Sequence, residues 1–277
     1  MYNPTHHPRL FYDMMNYPLP PDKHFFASEK MNDKWKEEKI WLYQRWPLHD
    51  KYMQVIKSNK RFFESIPFCK AIYLCNSLTF NALHNGSDID LFIVVQSWKI
   101  WTVRLFSWFL AVRYKIKRTK TIVDKQLCLS FYITDNHLNL YPLSLPKGDI
   151  YLAYWIAHLA VIRHDPTWNP NKIFEENKRI KWYLPNHPLK QIILKKQIPR
   201  TNKNTQAKQW EKKLSGIRWT IIEQIIKIIR YPIVITKKTL LWKQWRGVII
   251  SDSILKFHWD QRKKIQFKRK QYCKKYW

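Results

Sequence analysis

The chain has 277 residues and a formal net charge of +30, from 50 Lys and Arg against 20 Asp and Glu. Forty-five per cent of it is apolar, with 15 Trp, 15 Tyr and 14 Phe, so it can bury a sizeable core and does not belong with disordered chains. The apolar, uncharged stretch Ile150 to Ile162 is 13 residues long, too short to span a bilayer.

Residues 1 to 27 are dense in Pro, His and Tyr; Pro4, Pro8, Pro18, Pro20 and Pro21 forbid a long helix, and the segment reads as an extended arm. Asn32 to Tyr43 and Tyr52 to Ile66 read as helices, the second closed by Pro67. Ala71 to Leu74 is a short strand, and Leu78 to Leu83 has helical character, which sets Ser77 near a helix N-terminus, where phosphate oxygens bind well. Asn85-Gly86 is a tight turn, and Ile89 with Leu91 through Val95 forms an apolar, β-prone strand buried on both faces. Lys99 to Tyr114 is a helix, apolar except for Arg104 and Arg113, and Leu127 to Thr134 is a third strand. Leu138 to Leu143 reads as a weaker strand, and Asp149 to Arg163 and Asn171 to Trp182 as helices. Ala207 to Arg230 is amphipathic and ends at Pro232; Thr239 to Gly247 and Asp252 to Tyr272 continue the helical pattern. A boundary at Leu145-Pro-Lys-Gly148 divides the chain into the arm (1–27), an α/β core (28–147) and a helical, basic C-terminal domain (148–277).

The charge is uneven. Residues 1 to 180 carry 25 Lys and Arg against 16 Asp and Glu, whereas residues 181 to 277 carry 25 against 4. Aromatic residues interleave the basic third (Trp242, Trp245, Phe257, Trp259, Phe267), a composition suited to RNA or DNA as well as to packing. Compositional drift toward Lys, Ile and Asn accounts for the charge equally well. Cys69, Cys75, Cys128 and Cys273 have no Cys-x-x-Cys spacing, no signal-peptide apolar region precedes the first charges, and the histidines lack ligand spacing. These features point to a reducing, cytoplasmic setting without zinc.

Asp88 and Asp90 stand one residue apart at the lip of the buried strand. Period two puts both carboxylates on one face, close enough to share divalent cations, and unpaired charge there would be costly. Asp-x-Asp at a strand end can instead cap the following loop, and Asp88 follows Gly86-Ser87 in a turn-like context. Strand, Asn76-Ser77 turn, short helix and Asp-x-Asp strand together resemble the polymerase-β-type nucleotidyltransferase superfamily. Ile66-Pro67-Phe68, Trp101 to Arg104, Asp124 to Ser130, Asn177 to Asn186 and Lys256 to Asp260 are similar to stretches of stand-alone bacterial nucleotidyltransferase-domain proteins.

That resemblance implies an α+β fold, a small mixed sheet flanked by helices followed by an α-helical domain. It also implies two Mg²⁺ ions held by Asp88 and Asp90 against a nucleoside triphosphate, with transfer of the nucleoside monophosphate to an acceptor hydroxyl, on RNA if the basic third grips it. Asn76 and Ser77 would face the triphosphate, Arg104 or Lys125 would neutralise phosphate, and His258 and Asp260 would meet the acceptor or, on the plainer reading, cap a helix. Two departures stand out: the turn has no glycine, and Ser130 occupies the place of the superfamily's third carboxylate. An inert nucleic-acid-binding descendant and a transferase acting on a small molecule or protein are therefore the alternatives.

Overall fold

The computed structural model describes residues 8–15, 17, 48–146, 148–190, 205–214, 221–229, 232 and 247–257, with single positions from Arg262 to 271. Its frame is a six-stranded mixed sheet. The strands are β1 (Cys69–Leu74), β2 (Ile89–Val95), β3 (Leu127–Thr134), β4 (Ala160–His164), β5 (Ile249–Ile250) and β6 (Ile254–Lys256), in the order β4-β1-β2-β3-β6-β5. Only β2 and β3 are parallel, joined by the crossover helix α4 (Ile100–Arg113); the other neighbours are antiparallel.

Every residue of β2 is buried, so the sheet must be covered on both faces. Tyr73, Phe92, Val94, Phe131 and Ile133 face one apolar layer, built from α1 (Pro8–Met15), α5 (Ile150–Ala157) and α6 (Lys172–Glu175). Ile72, Leu91, Ile93, Val95 and Tyr132 face the other, built from helical residues 48–58 (α2), α3 (Lys60–Ser65) and α4.

Several elements differ from the sequence expectation. Pro8–Met15 is a helix, although an extended arm was expected there. It opens on Pro8, where the missing N–H costs nothing, and ends before the later prolines. Phe11 and Tyr12 are fully buried; Phe11 stacks on Tyr154 at 4.2 Å and Tyr12 Oη lies 3.1 Å from His158 Nε2. Burial pushes the His158 pKa down to about 3, so the ring stays neutral in this layer.

The helix expected over 149–163 stops at Ala157, and Ala160–His164 becomes β4 beside β1. A continuous apolar run carries no period to tell helix from strand, and the open edge of β1 decides it. Likewise Ile254–Lys256, inside an expected helix, pairs with β3. Strands from beyond residue 148 thus enter the same sheet as the core, where an all-helical module was expected. Leu138 to Leu143, expected as a strand, holds a 3-10 turn at Tyr141–Leu143, since Pro142 donates no ladder bond. Asn171 to Trp182 resolves into α6 and a 3-10 turn, Lys178–Trp182. The helix expected over 32–43 and most of that over 239–247 lie outside the described residues.

Two helices of the C-terminal part, α7 (Thr205–Lys213) and residues 221–229 (α8), fasten the core through carboxylates. Glu223 Oε1 accepts from Trp101 N at 2.7 Å and Oε2 from Thr102 N at 2.9 Å, which satisfies buried amides that have no intrahelical acceptor at the start of α4. Glu211 Oε1 accepts from Phe68 N at 2.7 Å. No helix of the described residues is long and apolar enough to cross a membrane.

If α1 is part of the core, Phe11→Ala should destabilise the fold by about 3–5 kcal/mol. Urea unfolding measures this directly, and a loss below about 1 kcal/mol would show that α1 is a detachable arm.

Candidate metal centre

The site is built where β1, β2 and β3 begin or end together. Leu74 pairs with Leu91, and Cys75 N donates to Asp90 O at 3.2 Å, so the Asn76-Ser77 turn leaves the sheet directly beside Asp90. Asp90 pairs in register with Cys128 of the parallel strand. Oxygen atoms of Asp88 and Asp90 and the Cys128 sulfur all lie within 4.8 Å of one another. Asp90 is 7 % exposed and Cys128 is buried, while Asp88 sits half-buried at the rim.

Ser130 was the residue expected opposite the acids. A bulge decides otherwise: between Asp90↔Cys128 and Phe92↔Phe131, β3 spends one more residue than β2. Counting in twos back from the strand centre therefore misses Cys128. Ser130 Oγ stands 3.2 Å from its sulfur.

A second residue missed by the sequence reading is Arg118. Arg118 N donates to Leu127 O at 3.1 Å and Lys117 bridges to Leu127, so the basic exit of α4 runs along the head of β3. This carries Arg118 Nη1 to 3.1 Å from Asp88 Oδ2 and 3.7 Å from Cys128 Sγ. No signal within Lys115 to Lys120 distinguishes this arginine from its neighbours.

The Asn76-Ser77 turn does not open a long helix. Asn76–Leu78 is a single 3-10 turn; Thr79 Oγ1 donates to Asn76 O at 3.1 Å, and Asn81 is left-handed. Thr and Asn offer the backbone local partners that compete with a helix, so the expected helix-terminal phosphate seat is reduced to the turn's own backbone. Asn76 adopts φ 58°, the conformation a glycine would take without strain. Its side-chain oxygen accepts from Trp155 Nε1 at 2.8 Å and Tyr151 Oη at 3.4 Å, which turns it toward α5.

Other expected site residues are engaged elsewhere. Arg104 Nη1 donates to Leu129 O at 3.1 Å, and its guanidinium lies 3.9 Å over the Phe257 ring. Lys125 N donates to Ser87 O at 2.9 Å, which puts it beside the turn before Asp88, but its Nζ pairs with Asp124 at 2.5 Å. His258 and Asp260 lie outside the described residues.

Burial and then the Asp90 charge raise the Asp88 pKa, against the pull of Arg118. Burial, with Asp90 adding to it, pushes the Cys128 thiol well up, so it stands neutral beside two carboxylates. Two hard oxygen donors whose mutual repulsion a cation would relieve suit Mg²⁺, which uses one or two carboxylates and completes its shell with water and phosphate. A neutral thiol adds little for that ion.

No family model matches this chain, and neither a curated protein nor a solved structure matches it.

Because its pKa is raised, folded Asp88 holds its proton more tightly than the unfolded chain, and stability falls as pH rises from about 4 through the folded value. Asp88→Asn removes that dependence. Its stability in urea should exceed that of the wild type at neutral pH, and the gap should close on acidification; a variant less stable at pH 7 would mean that the Arg118 pair outweighs the repulsion.

Proposed function

We propose that this chain is a divalent-cation-dependent nucleotidyltransferase of the polymerase-β type, moving a nucleoside monophosphate from a nucleoside triphosphate to an acceptor hydroxyl. The convergence of Asp88 and Asp90 on the turn that follows β1 carries this reading. A bound Mg²⁺ pair would neutralise charge on the triphosphate as pyrophosphate leaves. Asp88 and Asp90 would hold the cations. Ser77 and the turn backbone border the phosphates, and Asn76 fixes the turn by its bond to Trp155. Arg118, nearly half exposed at 44 %, can exchange Asp88 for a phosphate oxygen without leaving water. β3 contributes no third carboxylate, so the acceptor hydroxyl loses its proton without a protein base from that strand. The acceptor is RNA on the strength of the basic C-terminal third.

One observation favours a second reading, an inert protein that keeps the fold to bind nucleic acid. The Arg118 guanidinium already stands between Asp88 and Cys128, as an internal cation would.

Incubation with α-labelled nucleoside triphosphates and Mg²⁺, with and without RNA or cell extract, separates the readings. Wild type should transfer label, and the Asp88→Asn/Asp90→Asn double variant should lose it by about 10²-fold or more. Transfer by neither protein supports the inert reading, transfer without RNA a small acceptor, and equal transfer by both removes the acids from the chemistry.

A further inference from the structure

The helix α5 has a second working face. Tyr151 and Trp155 reach Asn76, whereas Leu152, Ala153 and Ile156 point the other way, into a cavity of about 660 Å³ closed by Ile180 and Tyr183 of the segment after α6. That volume is the size of a small-ligand site. Its floor is apolar, and Asn177 locks the walls by accepting from Leu140 N at 2.8 Å and donating to Leu138 O at 2.8 Å and Ile173 O at 2.7 Å.

The mouth is what sets the ligand. Tyr141 is 44 % exposed and Trp182 is 57 % exposed, and both line the cavity. Arg179 lies between them, its guanidinium carbon 3.4 Å from the Tyr141 ring centre and 5.1 Å from that of Trp182. Two partly exposed aromatic rings, each with Arg179 on one side, make with the guanidinium plane a stacking platform for flat rings. A quaternary ammonium ligand is disfavoured, since Arg179 already places a positive charge on both aromatic faces. Exposed Lys178 and Lys181 add positive charge on the same turn, while Glu175 and Glu176 on the cavity wall offer acceptors for amino groups. Flat ring, amino edge and anionic backbone describe a nucleotide.

We propose that this cavity is a nucleobase slot that seizes one unpaired base of a single-stranded nucleic acid by stacking on Trp182 and the Tyr141–Arg179 pair. Duplex does not enter, because its bases are not splayed out. The slot stands on other residues than Asp88 and Asp90 and goes beyond the transferase reading, supplying a grip on a strand whether or not the chain transfers nucleotides.

Anisotropy of a labelled ten-nucleotide RNA tests it on the full chain. Trp182→Ala keeps the charge and removes only a surface ring, so its affinity should fall by about 10-fold or more, with Trp182→Phe recovering a large part. Arg179→Ala should weaken binding and flatten its salt dependence. The Asp88→Asn/Asp90→Asn variant should bind like wild type, which separates this test from the transferase assay. Unchanged affinity in Trp182→Ala would overturn the slot and leave binding to diffuse charge. Equal competition by a duplex would overturn it as well, and a mononucleotide competing as tightly as the ten-mer would reassign the cavity to free nucleotides.

Discussion

Two like charges kept together at the start of a strand that is otherwise wholly buried is the constraint around which this molecule is arranged. Asp90 cannot move toward water without dragging β2 from between its apolar layers, and Asp88, two residues earlier, shares its face. Repulsion in a poorly solvated place costs free energy that a folded chain retains when something offsets it. Here the offset is Arg118 at the rim, held there by the pairing of its own backbone to β3.

Much of the frame was legible in the sequence because apolar β-prone runs were bounded by turn residues. β3 occupies the same eight residues that its sequence marks, and the helix after β2 agrees within a residue at each end. What stayed hidden depended on partners distant in the chain. β4 and β6 are short apolar segments made into strands by edges that β1 and β3 present. The bulge in β3 shifts the two-residue alternation and hides Cys128 behind Ser130. Left-handed Asn76 does the work expected of glycine, which composition alone does not reveal. Trp182, at the end of an expected helix, is more than half exposed, which its place in that pattern does not reveal.

α5 touches both the Asn76 turn and the cavity. It is an all-apolar helix of eight residues, capped by Asp149, whose side chain accepts from Leu152 N at 3.0 Å and pairs with Arg262 at 2.7 Å. One face steadies the turn beside the carboxylates and another floors the cavity. A helix is only about 10 Å across, so the two places are near neighbours through a single rigid element.

The carboxylates that Glu223 and Glu211 extend to the core also govern how a nascent chain can mature. While a ribosome has delivered only the first two hundred residues, the opening amides of α4 and the Phe68 amide lack those acceptors, and β3 has no β6 at its flank. Translation adds roughly 5–20 residues per second, so the half-built sheet waits several seconds with an unpaired edge. Its native arrangement is sealed late, by segments that emerge after all the parts of the acidic centre have been made.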